Sequence, residues 1–531
     1  MATTATNTTG GTDTGSTAPR IVGLLPNPVA VDDAGEYLHL RLPPGNWTVD
    51  DGEDVVTIRQ RRPGTVVVTA EPGALVAPPD GRVVARGLAL SNAGERVVLR
   101  RSGANGTVVD AVEYGRAPEG ERWVRGGEPR WRPVGLQQRD PVSLGAANAT
   151  AFVLPYAPAE PVAPVRAAHD RVLLAGYTFG SERVAEELIA AHERGVSVRV
   201  LLDGGPVGGI SARQAGLLDA LVDAGVEFRV IDGPRARFRY HHAKYVVADD
   251  TAVVLTENWK PSGTGGRDSR GWGVTLRSPR VADALEDLYR ADAGWRDAVP
   301  WDRYRSGRSF ERVDPSTGSY PSRHAPATVG VERVWLLTAP GNAESAVVTI
   351  VDGADGRVDV LQPTVDDGPL LASLRRAAEG GVRVRLLLSS AWYVAERNAA
   401  LVADLNRWAD AAGVPFEARI AEPSGRYGKV HTKGVVADDT AVVGSLNWNP
   451  TSARENREVV VALEGEAVAT YYRERFEADW RAVGGRMDDL PPAVAVAAVG
   501  AVAGAALFVR RRLTFDDAET EENVDRRGPI G

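Results

Sequence analysis

Histidine and lysine are scarce in this chain, seven and four of 531 residues, yet two short segments set them in the same order. His242-Ala243-Lys244 is followed by Asp249, and His431-Thr432-Lys433 by Asp438, with four residues between Lys and Asp in each. All four lysines, Lys244, Lys260, Lys429 and Lys433, lie inside or beside these segments, whereas arginine serves everywhere else. The segments are 189 positions apart, and at the same offset Val246–Val254 repeats unchanged as Val435–Val443, and Asn258-Trp259 as Asn447-Trp448. An internal duplication is the reading. Two imidazoles and two ammonium groups suit attack on a phosphodiester. One imidazole is the nucleophile, the other protonates the leaving oxygen, and the lysines neutralise the phosphoryl oxygens. A divalent-metal phosphoesterase would gather carboxylates and histidines at ligand spacing, and here each Asp follows a Lys, so no metal or other cofactor is expected. The absence of cysteine removes thiolate nucleophiles and cysteine-bound zinc.

The elements that must position these residues follow one plan twice. In an extended strand residues two apart face one way, which puts His242 with Lys244, and His431 with Lys433, on a common side. Asp249-Asp250-Thr251 and Asp438-Asp439-Thr440 then turn the chain back into hairpins. Upstream of the first motif the pattern predicts a strand at 172–175, a helix at 181–193, a strand at 196–202, a helix at 212–223 and a strand at 228–230. Upstream of the second it predicts a strand at 358–361, a helix at 370–378, a strand at 382–388, a helix at 399–411 and a strand at 416–420. These are βαβ units.

On these motifs the chain resembles the phospholipase D superfamily, whose duplicated His-x-Lys-x4-Asp segments meet across a pseudo-twofold axis at one metal-free site. The resemblance covers roughly 164–485. In the second half it extends to Gly444-Ser445-Leu446-Asn447 and Asn456-Arg457-Glu458, which stand where the family has Gly-Ser-x-Asn and Asn-x-Glu. It implies a covalent phosphohistidine, with His242 as nucleophile, His431 as general acid, and Lys244, Asp249, Lys433 and Asp438 completing the catalytic sets. It also implies that Asn258 and Asn447 hold the phosphate, with Ser445, Thr256 and Glu458 in support at the substrate site. The first half departs from the pattern: Leu255-Thr256-Glu257-Asn258 replaces Gly-Ser-x-Asn, and Ser269-Arg270-Gly271 replaces Asn-x-Glu.

The remainder of the chain gives context. Short alternating runs between Gly, Pro and Asp turns, such as 37–40, 55–58, 66–68 and 96–99, predict a β-sandwich. Gly35-Glu36-Tyr37-Leu38-His39-Leu40, Leu90-Ser91-Asn92-Ala93-Gly94-Glu95, Val109-Asp110-Ala111-Val112-Glu113-Tyr114-Gly115 and Trp123-Val124-Arg125 together are similar to a lamin-tail domain, which implies an immunoglobulin-like fold. An uncharged run at 493–509, followed by Arg510-Arg511-Arg512, predicts a membrane anchor with the tail cytoplasmic and the catalytic region extracellular, a single-pass protein of the cell membrane. The fold class expected is thus α/β plus all-β. A low-complexity N-terminus (1–19), the sandwich (20–148) and a Pro-rich linker (149–165) precede two pseudo-symmetric phospholipase D-like α/β halves at 166–300 and 331–488, joined by a linker (301–330). A single membrane-spanning helix (493–509) and a tail (510–531) follow.

With both motifs in one chain, a monomer suffices. A net charge of −8 gives no general affinity for nucleic acid, so any phosphate-seeking surface must be local. Three functions fit: a cell-surface nuclease, which Arg235, Arg237, Arg239 and Tyr240 would serve as a basic entry lip; a phospholipase D or cardiolipin-synthase-like phosphatidyltransferase acting on phospholipid; and a non-catalytic surface binding protein. Aromatic platforms and cationic tracks favour the first, an apolar acyl channel the second.

Overall fold

The computed structural model describes residues 18–101, 106–126, 131–136, 139–233 and 235–483. The chain divides between Leu136 and Gln137 into two compact units.

The first unit is all β. Its six-stranded sheet includes Arg20–Leu25, Tyr37–Leu42 and Gly64–Thr69, and its four-stranded sheet includes Gly45–Asp50, Val55–Gln60, Glu95–Arg101 and Thr107–Tyr114. Alternate residues of both sheets, among them Leu38, Leu40, Val66, Val68, Trp47, Val49, Val97 and Leu99, share one buried core. That alternation is the period-2 pattern of strands buried on one face.

The second unit holds two sheets built alike. In the first, Arg171–Gly176, Ser197–Asp203 and Glu227–Ile231 run parallel, and the hairpin Tyr245–Ala248/Thr251–Leu255 joins them antiparallel beside Arg171–Gly176. In the second, Arg357–Gln362, Arg383–Leu388 and Phe416–Ile420 are parallel, and Gly434–Ala437/Thr440–Gly444 is the equivalent hairpin. The first two parallel strands of each sheet are rich in Val and Leu, as parallel strands buried in an α/β layer are. Val172, Leu174, Val198, Val200 and Val230 enter one core, and Val358, Val360, Val384 and Leu386 the other. Helix starts follow local chemistry: Ser181 caps Glu182–Glu193, and Ser211 with Gln214 closes a capping box on Ala212–Asp223. The register fixes which residues correspond: Val254 pairs with Val274 as Val443 pairs with Val461, so Gly271 occupies the position of Glu458.

Three expectations need correction here. The Pro-rich stretch at 149–165 is no linker at its start, because Ala147–Leu154 pairs with Ser269–Arg277 on one side and Ala327–Val331 on the other. Ala149 and Ala151–Leu154 are fully buried, so their apolar side chains, more than the prolines after them, decide the structure. Ala327–Val331 likewise makes the end of 301–330 a strand. The fold class is also corrected at its C-terminal end: among the described residues no helix is long and apolar enough to cross a membrane. The run at 493–509 lies outside the described residues.

The two halves are tied by a reciprocal pair of buried ions. Arg270 of the first half binds Asp479 in Glu466–Ala482 of the second (2.9 Å), and Arg457 of the second binds Asp292 in Pro279–Ala293 of the first (2.9 Å). Arg270 also donates to the Leu154 carbonyl and Arg457 to that of Ala339, the last residues of equivalent strands. These four side chains are almost entirely buried, so neither charge can be left unpaired without a large cost, and the pairs hold the halves in one register.

Candidate active site

Neither motif histidine lies inside a regular strand. The strands begin at Tyr245 and Gly434, and the His-x-Lys residues occupy the extended chain just before them. There each half pins the backbone of the other: His242 N–H donates to the Arg457 carbonyl and His431 N–H to the Arg270 carbonyl, both at 3.0 Å. Lys429-Val430 adds as a parallel strand to Ser269-Arg270, and His241 bridges Arg457. The buried Arg–Asp pairs therefore sit on the very residues whose carbonyls hold the backbones of the two histidines.

The imidazoles are held crosswise by carboxylates. His242 Nδ1 lies 2.9 and 3.0 Å from the two oxygens of Glu458 in the second half. His431 Nδ1 lies 3.2 Å from Glu257 in the first. Glu458 is fully buried and also accepts from Ser452 (2.5 Å) and Asn456 (3.2 Å). Burial pushes its carboxyl up, but His242, Lys244 and the Ser445 hydroxyl outweigh burial, and the net value falls below the ordinary carboxylate range. An ionised carboxylate can only accept, so Nδ1 of His242 carries the proton and its Nε2 lone pair is turned away from Glu458.

Both motif lysines are buried against their own histidines. Lys244 donates to the His242 carbonyl (2.7 Å) and lies 5.3 Å from the centre of the Tyr177 ring. Lys433 lies 3.0 Å from both the carbonyl and Nε2 of His431. Tyr177 links the two motifs: its ring packs edge-on against His242 with centroids 4.7 Å apart, and it lines the same cavity as His431. Asn258, Lys260 and Lys429 line that cavity too. Asn447, its counterpart in the second half, is half-buried, and its backbone is fixed by Ser452.

Other residues named from the sequence lie elsewhere. Asp249 and Asp438 sit in the hairpin turns at left-handed φ of 49° and 43°. Asp249 accepts the N–H groups of His169, Asp170 and Arg171, and Asp438 those of Asp355, Gly356 and Arg357. Burial pushes both carboxyls up and these N–H groups bring them down, leaving each below its usual value. Seven extended residues from its histidine, each lies about 20 Å from the imidazoles, so these aspartates pin the chain entering Arg171–Gly176 and Arg357–Gln362. Thr256 and Ser445 are fully buried, and their hydroxyls accept the Trp272 and Val459 N–H groups, holding the strands that carry Gly271 and Glu458. With Glu458, also fully buried, they support the site from behind and do not line it. Arg237 is no entry lip: it is buried in a bidentate pair with Asp297.

A family model described as "Cardiolipin synthase, PLD-like domain" matches residues 163–292 and 347–480, once on each half. The chain belongs to the phospholipase D superfamily. Its members are phosphodiesterases and phosphotransferases, and this chain is an enzyme of that superfamily. Solved structures similar to it include phosphatidylserine synthase of Haemophilus influenzae Rd KW20, at 14% identity over 68% of this chain and 94% of that one, with a TM-score of 0.48. Nuc, a phospholipase D family member from Salmonella typhimurium, is 17% identical over 30% of this chain and 99% of that one, with a TM-score of 0.26. NucT from Helicobacter pylori is 16% identical over 29% and 98%, with a TM-score of 0.25. No curated protein matches the sequence.

Within this phospholipase D-superfamily chain the sequence reading missed Glu257, Tyr177 and the placement of Lys260 and Lys429. Glu257 stands where the second half has Leu446, and Gly271 where it has Glu458. The carboxylate has thus moved from one strand to the neighbouring loop. The signal was present as two compensating differences between the copies, one losing a Glu and the other gaining it.

Proposed function

We propose that this chain is a nuclease that hydrolyses phosphodiesters through a phosphohistidine, with His242 as nucleophile and His431 as general acid. The crosswise carboxylate–imidazole pairs carry the reading. Glu458 keeps the proton on His242 Nδ1, which frees Nε2 to attack phosphorus while the P–O bond to the leaving group breaks. His431 gives its proton to the departing oxygen, then takes one from water as the water oxygen attacks phosphorus and the P–N bond breaks. Lys244, Lys433, Asn258 and Asn447 neutralise and orient the phosphoryl oxygens. No divalent ion is required, because the carboxylates beside the imidazoles are committed: Glu458 to His242, Ser452 and Asn456, and Glu257 to His431.

The cavity supports nucleic acid over phospholipid. Val207 is the one aliphatic side chain lining it, and the rest are hydroxyl, amide, charged, imidazole or phenol groups. Acyl chains would need an apolar channel. Purified protein in chelator should release p-nitrophenol from bis(p-nitrophenyl) phosphate and cut single-stranded DNA faster than it hydrolyses phospholipid vesicles. His242→Ala and His431→Ala should each stop turnover. Activity that needs added metal, or survives both substitutions, would overturn the mechanism, and faster hydrolysis of vesicles would overturn the substrate.

A further inference from the structure

Two of the four lysines are not used by the chemistry above, and both face the cavity beside His431. Lys260 is 6% exposed, and Lys429 pairs with Asp268 at 3.6 Å. In a chain where arginine serves everywhere but at four positions, an ammonium at these two is informative: it is a compact point charge that fits where the planar guanidinium fork does not. Among the described residues of the cavity wall, the Thr178 hydroxyl and the Asn258 carbonyl oxygen, each on a residue 7% exposed, are buried with no hydrogen-bond partner, as is Glu257 Oε1 of the carboxylate–imidazole pair beside them, in which His431 Nδ1 meets the other oxygen as an ion pair without hydrogen-bond geometry. Buried polar atoms in folded proteins are paired, so unpaired ones on a cavity wall mark the place of a ligand. A hydroxyl can donate, and the Asn amide presents an NH2 when turned over.

We propose that Lys260, Lys429 and Thr178 form a subsite for a second phosphate, with Asn258 at its boundary with the phosphate that is attacked, so that the substrate is a single-stranded polynucleotide and not an isolated diester. The proposal rests on the nuclease reading and deepens it. Of the carboxylates close by, Glu257 lines the cavity with one oxygen 3.2 Å from His431 Nδ1, and Asp268, which pairs with Lys429, does not line it. Trp392 supplies the second half of the fit. It stands 52% exposed and edge-on to Tyr393, ring centroids 5.7 Å apart, and Tyr393 both lines the cavity and lies 5.9 Å from the Lys429 ammonium. An exposed indole beside phosphate-holding cations is a platform for an unpaired base, which a duplex would keep within its own stack.

The test compares three diesters: bis(p-nitrophenyl) phosphate, the thymidine dinucleotide TpT, and the same dinucleotide with a phosphate at each end. Wild-type protein should favour the end-phosphorylated dinucleotide over TpT in kcat/KM by about tenfold or more, the worth of one charge-assisted phosphate contact. Lys260→Met, which keeps the packing of the stem, and Lys429→Gln should each erode that ratio, and the pair together should bring it close to one. Trp392→Ala should lower kcat/KM on oligothymidylate relative to bis(p-nitrophenyl) phosphate. A purely structural role for the lysines would slow both dinucleotides equally and leave the ratio intact, which would overturn the subsite, as would a wild type with no preference. Turnover of bis(p-nitrophenyl) phosphate with neither dinucleotide cut would instead overturn the nuclease reading on which the subsite depends.

Discussion

A Cβ placed on Gly271 would overlap the Glu257 side chain, so the carboxylate that holds His431 fills the space that its counterpart Glu458 fills from the other strand. The two halves therefore reach one arrangement, imidazole Nδ1 on an opposite-half carboxylate, by different residues. Glu257→Gln keeps the shape and removes the charge that orients and stabilises the ring, and kcat should fall by about 100-fold or more, within the range that general acid–base catalysis contributes. Gly271→Glu alone overpacks the site and should cost about 1–3 kcal/mol of stability. Glu257→Leu combined with Gly271→Glu rebuilds the second-half pattern and should recover part of the lost activity. Steady-state kinetics with urea unfolding on these variants and on Glu257→Leu alone decides this, and a double variant no better than Glu257→Leu would show the two positions to be unrelated.

The motif aspartates should behave as structural residues. Asn tolerates the left-handed backbone at 249 and 438 but accepts less strongly from the three N–H groups each carboxylate serves. Asp249→Asn and Asp438→Asn should each lower stability by about 1–3 kcal/mol, and kcat measured well below the new Tm should stay within a few-fold of wild type. A loss of kcat comparable to that of a histidine variant would place these carboxylates in the chemistry after all.

How far the sequence could be read depended on whether the signal was local. The His-x-Lys pairs stood out because both residue types are rare, and helices such as 212–223 because their apolar residues recur at helical spacing and a Ser–Gln box opens them. The strand Ala147–Leu154 was obscured by the prolines after it, although it repeats in Arg333–Ala339, likewise followed at once by a proline. Adjacency in the motif misled on Asp249: a strand carries it away from His242, while Glu458, more than two hundred positions on, comes into contact. The Arg270–Asp479 and Arg457–Asp292 pairs were illegible for the same reason, since each joins residues of different halves and no spacing announces it.

The acid stability of the interface follows from Asp292. Burial alone would push its carboxyl up, but Arg457, His241 and Arg237 outweigh burial and bring it from the ordinary 3.8 down to about 2. A carboxyl depressed in the fold takes up protons first in the unfolded chain. Its contribution is therefore complete above the unfolded value near 3.8 and is lost as pH falls through about 2. Asp292→Asn strands the buried Arg457 and should cost about 3–5 kcal/mol at neutral pH. The same variant should also flatten the fall of stability between pH 4 and 2. Urea titrations at a series of pH values measure both effects, and an unchanged slope below pH 4 would remove Asp292 from the account.

The assignment of nucleophile and acid can be separated by the leaving group. p-Nitrophenolate departs without needing a proton, so His431→Ala should still let His242 attack bis(p-nitrophenyl) phosphate once, while the protein lacks the base that would activate water against the P–N bond. Rapid mixing should then show one burst of p-nitrophenol, at most one per active site, with the phosphoryl group left on the protein in an acid-labile, alkali-stable bond as expected of a phosphoramidate. His242→Ala should give neither burst nor label. The reverse pattern, a burst in His242→Ala and none in His431→Ala, would exchange the two roles and make Glu257, through His431, the carboxylate that orients the nucleophile.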